Sequence, residues 1–443
     1  MHSQIVKIKS LSLTGHGIAD NGWYILGSFP GDIINARKYK SAENIHYAEI
    51  IEIIEPSKDR IYTPAKQPFF HPNAPWQHLD IQAEDILKEQ LIHTIFEKHN
   101  IKITSTITAQ NGALLTEGYR NKVAYAFTID PSNTISFALF TRGISQTGKI
   151  PQTENILVHP VINNVGKQFL TFFNQKNVPL EILKYLVLRY SYTTNTVVAH
   201  ILITETNRKK LPWKKSDLEK FQNNNPNIAS ILVSHSEAGI RSSITTKDFY
   251  EIGNIEITEE VLGKKYTYHP SQFFQIYPDA FIQILNDCTE IIQTIPHHNE
   301  YELLDLFAGV GIIGLHLSDY VASVHGVEQS PLAKKYALLN AEQNNSQNLS
   351  FTESSVDKAL IYIQSHQILV VDPARSGLTK KLISKIIEIG PEYIVYISCN
   401  PETQARDYTS LQEVYSIEWS RGYNLFPKTP HIEHVLFLRK KAD

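Results

Sequence analysis

The chain has 443 residues, which corresponds to about three domains at roughly 150 residues each. It carries 42 Lys and Arg against 45 Asp and Glu, a net charge of -3, so a nucleic-acid surface would have to be local. The two cysteines, Cys288 and Cys399, exclude a disulfide framework, a four-cysteine zinc site and an all-cysteine iron–sulfur cluster. Since the sequence has neither an apolar run of roughly 18 residues nor the apolar core of a signal peptide, we expect a cytoplasmic protein that does not bind membranes.

Residues 1–57 predict a small all-β unit. Apolar runs within residues 5–13, 24–34 and 47–54, separated by glycine turns, indicate about five short strands. Residues 58–80 predict an irregular loop at a domain boundary, because proline fits neither a helix interior nor a central strand. Five prolines stand in or beside this loop: Pro56, Pro64, Pro68, Pro72 and Pro75.

Residues 81–255 predict an α+β domain that opens with a helix. Apolar residues between positions 81 and 99 recur at helical spacing, and strand-like runs follow from 119 to 201. The apolar face expected for this helix consists of Ile81, Ile86, Leu87, Leu91, Ile92 and Ile95. In residues 256–443 the pattern becomes strand, glycine turn and helix, repeated, which predicts an α/β domain with a parallel sheet.

A glycine-rich turn follows an apolar strand near residue 301. The glycines within residues 309–314 match GxGxxG, and a helix is predicted to begin near Ile312. The next strand, residues 323–327, leads into Glu328, whose carboxylate is well placed to bind both hydroxyls of a ribose. This set suits a dinucleotide or S-adenosylmethionine, and a turn that only packs a helix on a strand is the remaining alternative.

Asp305 favours S-adenosylmethionine over NAD. It lies four residues before the first glycine, where a carboxylate can face the cationic amino-acid end of the methyl donor. The dinucleotide pattern requires no acid there, and a pyrophosphate would be a poor neighbour for it. We therefore predict a methyl-donor site that includes Asp305, Gly309 and Gly311.

Two later strands deliver polar residues to the same edge of the predicted sheet. Residues 367–371 lead into Asp372-Pro-Ala-Arg-Ser-Gly377, and residues 393–398 are followed directly by Cys399. Ligands of open α/β sheets bind at the carboxyl ends of the strands. Cys399 is therefore the candidate nucleophile, with a buried packing role as the alternative. Cys288 lies in an apolar helical pattern and is predicted to pack.

Five motifs, in this order, resemble those of the RNA 5-methyluridine methyltransferases of the RumA and TrmA type. They are Phe273-Phe-Gln-Ile276, Asp305-Leu-Phe-Ala-Gly-Val-Gly311, Asp372-Pro-Ala-Arg-Ser-Gly-Leu378, Ser398-Cys-Asn-Pro-Glu-Thr403 and His431-Ile-Glu433. Residues 1–55 resemble a TRAM domain, an RNA-binding β-barrel, and Gly118-Tyr-Arg-Asn-Lys122 is similar to the family's central-domain motif. The resemblance spans nearly the whole chain. It implies the TRAM-bearing, RumA-like branch: a TRAM-like β-barrel, a central α+β RNA-binding domain and a Rossmann-like class I methyltransferase domain.

The resemblance also implies a mechanism. The thiolate of Cys399 attacks carbon 6 of uracil, which makes carbon 5 nucleophilic towards the methyl group. Glu433 then removes the proton from carbon 5 as general base, whereas its pattern alone would make it a solvent-facing strand residue. The residues implied to contact the methyl donor are Gln275, Phe307, Glu328 and Asp372. Those implied to contact the RNA are Phe273 and Arg375.

The chain departs from many relatives in three places. Ala374 stands where a second proline is common, and Ala308 stands where a cysteine often follows the phenylalanine. Neither change removes a reacting group. Within residues 64–78 many relatives carry a four-cysteine iron–sulfur motif, and this chain has no cysteine there. We therefore expect no iron–sulfur cluster and no metal.

The sequence thus predicts an enzyme that uses S-adenosylmethionine to make 5-methyluridine in structured RNA, 23S ribosomal RNA rather than transfer RNA, acting as a monomer. The alternatives are a transfer RNA 5-methyluridine methyltransferase, an RNA 5-methylcytosine methyltransferase and a non-catalytic RNA-binding assembly factor. A basic cluster at residues 208–215, with Trp213 among the charges, predicts an RNA surface or else a solvated loop. The target uridine has to leave its stack to reach Cys399.

Overall fold

The computed structural model describes residues 3–62, 69–108, 115–140, 148–152, 154–237 and 245–442. The chain divides into two compact units, one of Met1–Asp80, Leu115–Glu259 and His269–Ser271, the other of Ile81–Leu114, Glu260–Tyr268 and Gln272–Asp443. Pro64 and Pro68 of the predicted loop lie outside the described residues. Over the described ranges, no helix is both long and apolar enough to cross a membrane.

The first unit begins with a closed five-stranded barrel, in the order β1-β2-β3-β5-β4. Its strands are β1 (Ser3–Leu11), β2 (His16–Ala19), β3 (Trp23–Leu26), β4 (Ile33–Ala42) and β5 (Ile45–Glu55). Alternating residues such as Val6 and Ile8 fill the interior, as the two-residue period of a strand requires. Beyond β5, Arg60 forms an almost fully buried ion pair with Asp32 at 2.7 Å, which ties the following segment to the barrel. The predicted all-β unit of about five strands is confirmed.

A helix and a short strand come next in the chain, α1 (Ile81–Lys98) and β6 (Thr106–Thr108). Both belong to the second unit, although the sequence analysis placed them in the central domain. The apolar face expected for α1 is also partly wrong, because Ile86 is 59% exposed. Its place on the buried face is taken by two charged residues, Glu84 and Lys88. The predicted domain boundaries at residues 57, 80 and 255 otherwise remain predictions.

The central part of the first unit is a seven-stranded sheet in the order β13-β12-β11-β10-β7-β8-β9. Its elements are β7 (Lys122–Ile129), β8 (Ile135–Phe140), β9 (Lys149–Gln152), α2 (Pro160–Gln175), β10 (Leu183–Ser191), β11 (Thr196–Ile203), α3 (Lys215–Asn223), β12 (Ile228–His235) and β13 (Lys247–Ile252). Phe169, Phe173 and Leu218 of the two helices form one apolar core with the strands. The α+β prediction for this part is confirmed.

The second unit contains an eight-stranded sheet in the order β18-β17-β16-β19-β20-β22-β21-β6, and β14 pairs with β15. The elements are β15 (Lys264–Tyr268), α4 (Pro278–Gln293), β16 (Glu302–Leu306), α5 (Ile312–Leu317), β17 (Ser323–Glu328), α6 (Pro331–Gln343), β18 (Leu349–Glu353), β19 (Gln367–Val371), α7 (Lys380–Ile389), β20 (Tyr393–Ser398), α8 (Pro401–Leu411), β21 (Tyr415–Tyr423) and β22 (Glu433–Lys440). Strand β14 (Ile257–Val261) begins within the first unit. Short 3₁₀ helices lie in the first unit at Leu180–Ile182 and Arg208–Lys210. In the second unit they lie at His298–Glu300, Ser318–Tyr320 and Ala359–Tyr362.

The strand order creates a crevice at the carboxyl end of β16. This strand pairs in parallel with β17 on one side and with β19 on the other. The strand order therefore runs outward from β16 in one direction through β17 and β18, and in the opposite direction through β19 and β20. Such a reversal opens a crevice in which ligands of open α/β sheets bind. The predicted parallel sheet is confirmed for β18, β17, β16, β19 and β20, whereas β22 adds antiparallel pairings with β20 and β21, so the sheet is mixed. The helix that begins at Ile312 and the strand that ends at Glu328 are confirmed.

Candidate active site

A buried carboxylate lies below the glycine turn. Asp305, in β16, is 1% exposed, and its Oδ2 accepts a hydrogen bond of 3.1 Å from the backbone N–H of Gly314. Its Oδ1 has no hydrogen-bond partner among the described residues. A buried carboxylate oxygen without a donor is costly. A ligand that brings a positive charge or a donor to this atom would therefore be stabilised.

The end of β17 holds the second predicted carboxylate in place. Glu328 accepts hydrogen bonds from the backbone N–H of Gly309 at 3.0 Å through Oε2 and of Ser330 at 2.7 Å through Oε1. Each carboxylate oxygen has two acceptor sites, so each retains the capacity to accept from a ribose hydroxyl. The backbone of the glycine turn thus orients the carboxylate that the sequence assigns to the ribose.

Burial and mutual repulsion disfavour negative charge in this crevice. Desolvation, followed by repulsion from Asp372 and Glu328, raises the pKa of Asp305 to about 8. Desolvation also raises the pKa of Asp372, which directly follows β19, to about 7. Three neighbouring acids fit the cationic sulfonium and amino groups of S-adenosylmethionine and would repel a pyrophosphate. The residues present therefore fit the methyl donor.

The turn between β16 and α5 uses an unusual backbone conformation. Phe307 has a φ of 70°, a left-handed conformation that costs a non-glycine residue roughly 1 to 3 kcal/mol and is concentrated at functional sites. A Cβ on Gly311 would lie 2.9 Å from the Phe351 ring, so this glycine is needed for packing. A Cβ on Gly309 would have no other atom within 4 Å, so the space beside this residue is open.

We expect Asp305→Asn to weaken S-adenosylmethionine binding by about 10- to 100-fold, because a hydrogen bond to a charged group contributes roughly 1.5 to 3 kcal/mol. The substitution keeps the side-chain shape and removes an uncompensated buried acid, so the protein stays folded. Calorimetric titration with S-adenosylmethionine measures the effect, with Glu342→Gln on the exposed face of α6 as the control. An unchanged affinity in Asp305→Asn would remove this carboxylate from the donor site.

Cys399 lies at the carboxyl edge of the sheet, directly after β20, and is partly exposed. Desolvation, followed by the negative charges of Glu433 and Asp372, raises the pKa of its thiol to about 11. Arg375 opposes this shift through its positive charge and a hydrogen bond to the thiol. The three residues that the sequence placed near the reaction thus lie within electrostatic reach of the sulfur.

Glu433 reaches this edge because β22 runs antiparallel to β20. It is the first residue of β22, and in the pairing of the two strands Ser398 lies opposite His434. Glu433 is only 7% exposed, so it is not the solvent-facing residue that its pattern alone indicates. Burial, followed by repulsion from Asp372, raises the pKa of its carboxyl well above the usual range, and Arg375 acts in the opposite direction.

Hydrogen bonds join the two loops that carry Arg375 and Cys399. The backbone carbonyl of Arg375 accepts from Asn400 Nδ2 at 3.0 Å and from Thr403 Oγ1 at 3.2 Å. Asp407 of α8 accepts from the backbone N–H of Leu378 at 2.7 Å, which holds the other end of the first loop. The sequence analysis missed Asp407, whose signal is a single acid on the buried face of α8.

The segment before α4 presents one phenylalanine to solvent and buries the next. Phe273 is 68% exposed, whereas Phe274 is buried and stacks on Tyr268 with ring centroids 4.3 Å apart. Gln275 is partly exposed. An exposed ring on an anchored segment can stack on a nucleic-acid base, and the roles of Phe273 and Gln275 remain predictions.

The structure decides the predictions made for two further residues, Cys288 and Trp213. Cys288 of α4 is fully buried, and burial strongly raises the pKa of its thiol, so the predicted packing role is confirmed. Trp213, expected to lie among the basic residues of an RNA surface, is 2% exposed and packs near Phe172 and Phe173. The expectation that it is available to stack on a base is wrong, because the core of the first unit uses its ring.

The strand order, the glycine turn and the acids beside it define a class I, S-adenosylmethionine-dependent methyltransferase. A solved structure with the same overall fold is that of Pyrococcus abyssi tRNA (uracil-54, C5)-methyltransferase in complex with S-adenosyl-L-homocysteine. It is 22% identical, covers 99% of this chain and 100% of its own, and gives a TM-score of 0.77.

Sequence comparison identifies the family. The sequence model of the tRNA (Uracil-5-)-methyltransferase family matches residues 88–441, so the chain belongs to this family of RNA (uracil-5-)-methyltransferases. Curated relatives described as uncharacterized RNA methyltransferases include one from Nanoarchaeum equitans, 29% identical over 98% of this chain and 93% of its own. Another, from Lactobacillus johnsonii, is 27% identical over 98% of this chain and 97% of its own. The prediction of S-adenosylmethionine rather than NAD is confirmed.

Proposed function

We propose that this enzyme methylates carbon 5 of a uridine in structured RNA, with Cys399 as nucleophile and Glu433 as general base. The observation that carries this proposal is the convergence of a thiol, a buried carboxyl and the Arg375 guanidinium at one sheet edge, beside the acids of the donor crevice. A thiol and a base are the two groups that this reaction requires of the protein, because uracil carbon 5 is a weak nucleophile until carbon 6 carries an adduct.

In the first step Cys399 becomes a thiolate and adds to carbon 6 of the uracil. Its raised pKa of about 11 keeps the resting thiol protonated at neutral pH, so its activation has to accompany RNA binding. Arg375 favours the thiolate by its charge and its hydrogen bond. Asp305 and Glu328 hold the bound methyl donor, which supplies an electrophilic methyl group. Carbon 5 of the uracil takes that methyl group, the bond between the methyl carbon and the donor sulfur would break to leave a neutral thioether, and Cys399 remains bonded to carbon 6.

In the second step Glu433 takes the proton from carbon 5, and the bond between Cys399 and carbon 6 breaks. Burial and the nearby Asp372 disfavour the charged form of Glu433, which strengthens it as a base once it is ionised. Breaking the bond restores the aromatic uracil ring and regenerates the thiolate. Phe273 and Arg375 are proposed to contact the RNA, and Gln275, Phe307 and Asp372 to contact the methyl donor.

The proposed RNA is ribosomal, on the basis of the TRAM-like start of the chain. The barrel and the central domain would hold the RNA, and the enzyme would act as a cytoplasmic monomer. Transfer RNA is the second candidate, because the Pyrococcus abyssi enzyme, named for uracil-54 of tRNA, has the same fold over 99% of this chain. The two candidates differ in the RNA fraction that carries the product.

Mapping of 5-methyluridine in cells with and without the gene tests the proposal. We expect one or more 5-methyluridines to disappear from 23S ribosomal RNA and to return with the wild-type gene but not with Cys399→Ala. Loss from transfer RNA instead would select the second candidate. Loss of 5-methylcytosine, or of no methylated nucleoside, would contradict uracil methylation by this protein.

A further inference from the structure

A fully buried ion pair lies in α1 of the catalytic unit. Glu84 Oε1 and Lys88 Nζ are 2.8 Å apart, one helical turn from each other, and both side chains are 0% exposed. Burying two charges carries a large desolvation penalty, and apolar residues of similar size often serve stability as well or better. The pair therefore calls for an explanation other than stability.

Both members of the pair bind residues 424–430, the loop that leads to Glu433. Lys88 Nζ donates to Asn424 Oδ1 at 2.6 Å and to the carbonyl of Phe426 at 3.2 Å. Both carboxylate oxygens of Glu84 accept from the backbone N–H of Lys428 at 3.0 Å. Lys428 has a φ of 64°, a strained conformation for a side chain other than glycine. The buried carboxylate thus holds the strained residue of this loop.

The residue after Glu433 is held by the same part of the chain. His434 is 0% exposed, and its ring makes hydrogen bonds with Ser105 Oγ at 3.0 Å and with Gln404 Oε1 at 2.6 Å. Just beyond Ser105, strand β6 pairs with β21, the neighbour of β22. Residues 81–108 therefore fix the chain on both sides of the proposed base.

We propose that Glu84 and Lys88 are positioning residues that hold Glu433 in place for removal of the carbon 5 proton. A group that acts in proton transfer has to be placed to within a fraction of an ångström, and a buried, doubly charged contact supplies a fixed distance that apolar packing does not. Cys399 follows a different strand, β20, and makes its bond in an earlier step. The proposal rests on the proposed role of Glu433.

The central experiment is the double substitution Glu84→Leu with Lys88→Leu, which removes both charges and leaves no unpaired buried ion. Unmethylated RNA from cells lacking the gene serves as substrate, and the covalent protein–RNA adduct is measured on denaturing gels together with turnover. We expect turnover to fall about 100-fold, the loss associated with a shift of about 1 Å, while the rate of adduct formation is unchanged and the adduct accumulates. Loss of helix packing alone would not cause accumulation.

Two further variants keep this test decisive. Ile95→Ala also disturbs the buried face of α1, about two helical turns beyond Lys88, and leaves the ion pair intact, so it should lower the melting temperature without accumulating adduct. Glu84→Gln retains an oxygen that can accept from Lys428 and should recover much of the turnover lost in the double variant. A wild-type adduct fraction and turnover in the double variant, or in Glu84→Met with Lys88→Met if the leucine variant does not fold, would overturn the proposal. Absence of any adduct in Glu433→Gln, in which proton removal is blocked, would instead contradict the proposed function.

Discussion

Replacing Cys399 with alanine is expected to abolish methyl transfer, with a loss of roughly 10⁴-fold or more in turnover, the scale seen when a covalent nucleophile is removed. Without the thiol, carbon 6 of the uracil cannot form the adduct that makes carbon 5 nucleophilic. Donor binding should persist, because the residues proposed to hold the donor, Asp305 and Glu328, are unchanged. Transfer of labelled methyl groups to RNA measures the first effect, and calorimetric titration with S-adenosylmethionine measures the second.

Cys288 offers a matched control for this experiment. It is the other cysteine of the chain, is fully buried in α4 and has no step assigned to it in the proposed mechanism. Cys288→Ala should cost some stability, since it leaves a small cavity, but it should retain methyl transfer. The covalent mechanism fails if Cys399→Ala retains turnover comparable to that of Cys288→Ala.

Glu433→Gln is expected to slow turnover by about 10²- to 10⁴-fold and to trap the methylated protein–RNA adduct, because glutamine has the same shape but cannot accept the carbon 5 proton. The trapped species would appear as a slowly migrating band on a denaturing gel. It should be absent from Cys399→Ala and from the double variant of Cys399→Ala with Glu433→Gln. Normal turnover in Glu433→Gln would remove this residue from the role of base.

The same substitution should change the reactivity of the thiol in a predictable direction. The negative charge of Glu433 raises the pKa of Cys399, so a neutral glutamine should lower that pKa and increase the thiolate fraction at pH values at which Glu433 is ionised in the wild-type enzyme. The rate of Cys399 alkylation by iodoacetamide, followed against pH, reports this shift. Glu418→Gln, at an exposed position of β21, is the control that should leave the pH profile unchanged.

The strand ends explain why much of the site could be predicted. Asp305, Asp372 and Cys399 each lie in or directly after an apolar strand, and parallel strands bring their carboxyl ends to one edge whatever connects them. Local patterns also indicated the glycine turn and the acid at the end of β17. Glu433 could not be assigned in this way, because its burial depends on an antiparallel strand whose place in the sheet is not a local property.

Three residues show where a local pattern is insufficient. Trp213 stands among basic residues in the sequence, but its ring belongs to the core of the first unit. Glu84 and Lys88 interrupt an apolar helical pattern, and the sequence analysis passed over them in favour of Ile86, which is exposed. In each case the side chain is buried or exposed according to which partner packs against it. Residues 424–430 are that partner for Glu84 and Lys88.

The sequence by itself determined the class of sheet and the order of the motifs, and it predicted the nucleophile and the donor acids, because strand periodicity and turn chemistry are local and the motifs follow one another along the chain. Only the tertiary structure decided that Glu433 is buried beside Cys399 and Asp372, and that residues 81–108 belong to the catalytic unit. The physical reason is that burial depends on segments that are distant in the chain, and the hydrogen bonds of Glu84 and Lys88 to Asn424 join residues more than three hundred positions apart.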